Sequence, residues 1–143
     1  MELKSKEELK KSYLTTTYLV YIDGEQSAIK IGEPAPFVIK KLLDNGHTAV
    51  IITAWNPRSQ AYSLEENKQR NINLLASLDN KYLVRNALGQ GNDPSWQAEE
   101  SFFILGINQE VAEQLANDYE QYAYVWLEAD TPASLVFTGI WNE

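Results

Sequence analysis

Two short stretches hold the side chains that could do chemistry, 55-WNPRS-59 and 96-WQAEES-101. In the first, Trp55 offers an apolar plate, Arg58 a fixed cation, and Asn56 and Ser59 neutral hydrogen-bonding groups, while Pro57 restricts the backbone of Asn56. In the second, Trp96 is a further aromatic, and Glu99 and Glu100 stand at the mouth of an apolar run. A glutamate in such a place could act as a base or ligate Mg²⁺, which points to hydrolysis. Side-chain alternation sends Glu99 and Glu100 to opposite faces of a strand, so at most one of them can serve a given pocket. The commoner use of such a glutamate is an ion pair, here with Arg58 or Arg70.

A third group lies on the segment 64–78, which reads as a helix. Ser63 and Glu66 have capping-box spacing at its start. Leu64, Leu74, Leu75 and Leu78 make an apolar stripe on the wheel, with Asn67 and Asn71 inside it and Arg70 on its edge. A buried amide without a partner costs about 1–3 kcal/mol, so these asparagines must be hydrogen-bonded. They either tie the helix to the irregular loop before it or line a pocket at the end of strand 48–54, and the two roles are compatible. Glu66 and Arg70 also have the spacing of a helical ion pair. Loops at strand ends of α/β sheets often bind ligands. With Arg58, Lys68, Arg70 and a helix start nearby, the ligand expected there is anionic or nucleotide-like.

Other chemistries have little footing. The chain has no cysteine, which excludes disulfides and thiolate sites, and a single histidine. His47 precedes strand 48–54 at the end away from the WNPRS loop, which argues against a triad or a multi-histidine metal site. No cofactor is called for beyond the Mg²⁺ that a glutamate could hold. Gly89-Gln90-Gly91 lacks the rest of a dinucleotide or phosphate-loop fingerprint. The net charge is −8, and its excess lies wholly in residues 81–143, with ten acidic and two basic side chains against ten of each before them. That composition offers no cationic footprint for nucleic acid. The acidic half is a solvated surface, an interaction face for a protein partner, or an imitation of DNA that would occupy a DNA-binding protein. No segment approaches the roughly 20 apolar residues that span a bilayer, and the charged N-terminus has no apolar signal core. The expectation is a soluble, cytoplasmic protein with no membrane contact.

These groups must be positioned by a single globular domain of 143 residues. Ser5 opens a short helix. The runs at 18–22 and 28–31 flank Asp23-Gly24, a hairpin signal. Residues 37–43 read as a helix between Pro36 and Asn45-Gly46. Segments 48–54 and 101–105 read as strands apolar on both faces, hence central. A strand begins at 82, residues 88–97 read as a loop, and Ile107, Val111 and Leu115 mark a helix over 108–118. Strands at 122–127 and 134–137 finish the chain. The expected class is α+β, an α/β-like sandwich in which a mixed β-sheet carries helices on its faces. If strands 48–54 and 101–105 are antiparallel neighbours, Trp96 and one glutamate stand beside the WNPRS loop.

Taken together, TAWNPRS, the series Ser63, Glu66, Asn67 and Arg70, the stretch Trp96 to Ser101, and Gln121, Ala123 and Trp126 resemble a bacterial family known only as domain of unknown function 3293. The resemblance runs from about residue 15 to 138. It implies a small bacterial single-domain protein and treats Asn56, Pro57, Asn67, Arg70 and Glu100 as one unit, without implying an activity. The reading that follows is a polar pocket between the WNPRS loop, the first half of helix 64–78 and residues 96–100. In it Trp55 or Trp96 would stack, Arg58 and Arg70 would neutralise charge, Asn56 and Asn67 would orient the ligand, and Glu99 or Glu100 would act in any hydrolysis. The rival is a non-enzymatic interaction or regulatory module that uses Glu110, Glu113 and Glu120.

Overall fold

The apolar run at 48–54 becomes the centre of the molecule. In the computed structural model, which describes residues 5–92 and 97–142, the elements follow the expected order. They are helix α1 (Lys6–Leu14), strands β1 (Thr17–Ile22) and β2 (Glu25–Ile29), helix α2 (Phe37–Leu43), strand β3 (Ala49–Ile52), helix α3 (Leu64–Ser77), strands β4 (Leu83–Gln90) and β5 (Glu99–Leu105), helix α4 (Gln109–Asp118), and strands β6 (Ala123–Leu127) and β7 (Ser134–Phe137). The strands form one sheet in the order β2-β1-β4-β5-β3-β6-β7. The class is α+β as expected. Within it, every described strand pairing is antiparallel, where a mixed sheet was expected. The expected antiparallel pairing of β3 with β5 is present, with Ile52 opposite Phe102.

Alternation sorts the strand residues into two layers. Ala49, Ile51, Phe103, Val125 and Leu127 pack with Ile39 and Leu43 of α2 on one face. Val50, Ile52, Phe102, Ile104, Tyr124 and Trp126 pack with α3 and α4 on the other. Both faces of β3 are therefore covered, which is why its sequence reads as an unbroken apolar run.

Local signals act as their chemistry requires. Asp23 and Gly24 both take positive φ in the hairpin turn. Ser63 accepts from the Glu66 amide and completes a capping box. Two expectations need correction. Residues 88–90 belong to β4 rather than to a loop, because Leu88 and Gly89 pair with both β1 and β5 and Gln90 pairs with β1; of the rest of the expected loop, residues 93–96 lie outside the described residues. In α4 the buried face is Ala112, Leu115 and Ala116, with Val111 turned out. No helix of the described residues is long and apolar enough to cross a bilayer.

Candidate functional site

Where β3 ends, the chain peels away from β5, and the backbone groups left behind need partners. Side chains supply them. Asn71 Oδ1 accepts from the Ala54 amide at 2.8 Å, and its Nδ2 donates to the Glu100 carbonyl at 2.8 Å. The Asn71 amide thus replaces the ladder bonds lost as the two strands part. Thr53 Oγ1 donates to the same Glu100 carbonyl and accepts from the Trp55 amide. Arg70 Nε donates to the Ala54 carbonyl at 2.6 Å and Nη2 to the Tyr119 carbonyl at 2.7 Å. Gln121 Nε2 donates to the Trp55 carbonyl at 2.9 Å. Asn67 Oδ1 accepts from the Asn56 amide at 2.8 Å, and Asn67 Nδ2 donates to Asn56 Oδ1 at 2.9 Å.

This bracing fixes a loop in a costly shape. Asn56, Arg58 and Ser59 all have φ near +50°, in the left-handed region. Such a conformation costs on the order of 1–3 kcal/mol for each non-glycine residue and persists only where the surroundings over-determine it. The restriction that Pro57 places on Asn56 is thus resolved in an uncommon region (φ 47°, ψ 63°). Arg58 is tied down twice to Glu120: its amide donates to the Glu120 carbonyl at 2.7 Å and its Nε to the carboxylate at 3.0 Å.

The product of this arrangement is the position of one side chain. Asn56 Oδ1 accepts from the Tyr62 and Asn67 nitrogens, which turns Nδ2 toward Glu99, where it donates to Oε2 at 3.1 Å. Glu99 lines an open groove of about 1230 Å³ between α1 and the sheet face that carries α2. Tyr13 and Ser12 of α1 form one wall; Tyr18, Ile51 and Ser101 belong to the sheet side. Gly89 also lines this floor, beside the Tyr18 ring. Burial raises the Glu99 carboxyl above the usual carboxylate range, and the Asn56 hydrogen bond works against that rise. Burial also pushes the Tyr13 and Tyr18 phenols up, and the nearby Glu99 charge adds to both. Both phenols are therefore neutral at physiological pH.

The expected pocket residues divide between this groove and its scaffold. Trp55, Asn56, Ser59 and Glu99 line the groove. Asn67, Asn71 and Arg70 lie behind it as braces. Trp55 is only 3% exposed, too covered to serve as an open stacking plate, and its buried Nε1 has no acceptor among the described residues. Arg58 and Arg70 serve the loop, and neither pairs with Glu99 or Glu100. Glu66 returns to Ser63 in the capping box instead of reaching Arg70. Glu100 points to the α3 side, 3.2 Å from Lys68 Nζ, as alternation requires. Trp96 lies outside the described residues.

Among the described residues, no three His, Asp or Glu side chains gather in a way that would hold a metal ion. The residues that sequence reasoning missed are Tyr13, Tyr18, Thr53 and Ser101. Ser101 could have been found from strand alternation, which puts it on the face of Glu99; Tyr18 and Thr53 needed the sheet order and register as well. Tyr13 had no signal, because its contact with the site is made only by the docking of α1.

The alternative acidic interaction face is partly occupied within the chain. Glu113 accepts from the Tyr124 hydroxyl and the Gly139 amide, and Glu120 holds Arg58.

No curated protein and no solved structure matches this sequence. A family model described as protein of unknown function (DUF3293) matches residues 52–124. That span is just over half of the chain and holds the strained loop, its asparagine and arginine braces, Glu99 and Gln121. The chain belongs to this family.

Proposed function

We propose that this protein binds a small polar organic molecule in the groove beside the WNPRS loop. Glu99 is its hydrogen-bonding anchor, and Asn56 sets the position of that carboxylate. One observation carries the reading. A strained loop, held by buried amides and an arginine, ends by presenting a single partly buried carboxylate to an open groove. A fold with no use for Glu99 would gain by replacing it with an uncharged side chain. The strain and the desolvated acid together are what binding sites accumulate and structural loops avoid.

An anionic, phosphate-bearing ligand draws less support from the geometry, because Arg58 and Arg70 are engaged by the loop. Any hydrolysis at this site would use Glu99 as its acid or base, since Glu100 is turned to the other face.

The test is thermal unfolding with a panel of nucleosides, nucleotides and small polar fragments at millimolar concentration. A ligand present at a hundredfold excess over its Kd stabilises by about 2.7 kcal/mol, or roughly 5–10 °C for a domain of this size. At least one compound should raise the melting temperature of the wild type and leave Glu99→Gln unmoved. A panel that moves neither protein, or moves both equally, would sink the proposal.

A further inference from the structure

The chemistry of the groove narrows the ligand class further. Among the described residues, the Glu99 carboxylate has one hydrogen-bond partner, Asn56, at Oε2. Its second oxygen is left for a donor from elsewhere. A half-buried carboxylate with a single neutral partner is poorly compensated, and a positive donor at that oxygen supplies what is lacking. The nearby walls are aromatic. Tyr13 and Tyr18 line the same groove as Glu99, and neutral phenol rings attract cations through their faces. The cationic side chain among the groove's described lining residues is Lys11, which stands on exposed α1 together with Glu8 of opposite sign. The Trp55 indole adds a donor that would favour an acceptor group, but it is covered and out of reach of an incoming ligand.

We infer that the groove takes a cationic ligand, an organic ammonium or amidinium with a small apolar body. The nitrogen sits on the free oxygen of Glu99, and the body packs between Tyr13 and Tyr18. This deepens the proposed function and rests on the groove being a binding site at all.

Three probes of one shape and different charge separate the two questions: benzylamine, benzyl alcohol and benzoate, each titrated while backbone amide shifts are followed. Benzylamine should perturb the amides of Thr53, Asn56 and Ser101 and bind at least about tenfold more tightly than benzyl alcohol, a factor worth about 1.4 kcal/mol. Benzoate should be the weakest. Glu99→Gln should erase the preference for the amine, while Glu99→Asp should keep its sign. Binding of benzoate or the alcohol at these amides as tightly as the amine would overturn the cation assignment and leave the groove standing. If none of the three probes perturbs these amides, the groove itself is refuted as a site, and the assignment falls with it.

Discussion

At the residue scale, the asparagines of α3 are the feature most easily misread. In the sequence they interrupt an apolar stripe, and the need for partners was legible because a buried amide cannot go unpaired. Their role was less legible. Wheel position says that Asn67 and Asn71 face inward, but not whether a ligand or the backbone receives them. The backbone does, at Ala54, Asn56 and Glu100. Replacing Asn67 by leucine completes the stripe in sequence terms, yet it strands the Asn56 amide and releases the Asn56 side chain. Asn67→Leu should therefore lose about 1–3 kcal/mol in denaturant unfolding, the cost of leaving a buried donor unpaired. A variant as stable as the wild type would show that the loop does not depend on this amide.

At the element scale, the order of helices and strands was readable because each start and stop has local chemistry, such as Ser63 with Glu66 or Asp23 with Gly24. The face that α3 buries was only half readable. Counting leucines places Leu64 and Leu75 in the core, but both are 45% exposed. The buried row is Asn67, Asn71, Leu74 and Leu78, with spacings of four, three and four. Two polar residues hold the N-terminal half of that row, so apolar residues alone point the helix in a slightly wrong direction. The consequence is measurable as a contrast between adjacent leucines. Leu74→Ala should cost about 2–5 kcal/mol, as fully buried leucines do, whereas Leu75→Ala should stay within about 0.5 kcal/mol. Equal losses at the two positions would mean that α3 is rotated from the orientation described.

At the scale of the whole molecule, sequence foresaw the meeting of the WNPRS loop with a glutamate, because both lie at the same end of two central strands. It did not foresee the groove. That space exists only because α1, at the far N-terminal end of the chain, folds over the sheet and brings Tyr13 to Glu99; nothing local in residues 5–18 marks such a contact. Strand direction was hidden for a similar reason. Neighbours in the sheet are set by long-range packing, and β3 is inserted between β5 and β6 rather than beside the strands next to it in sequence.

The same long-range assembly leaves Glu99 with a burden that the global stability must reflect. Its carboxyl is raised in the folded protein above its unfolded value, so the native state holds this proton more tightly than the unfolded chain does. Stability then falls as pH rises through the unfolded value toward the folded one, and the full penalty is present above the folded value.

The most direct measurement is the stability of Glu99→Gln against wild type from about pH 4 to about pH 8, an interval that begins near the ordinary glutamate pKa. If Glu99 is kept for a ligand, the glutamine variant is the more stable protein near neutral pH, because it removes a desolvated charge and can still accept from Asn56. The advantage shrinks on acidification, as the wild type becomes protonated. A glutamine variant that is less stable than wild type near neutral pH would make Glu99 a structural pillar and contradict the binding role assigned to the groove.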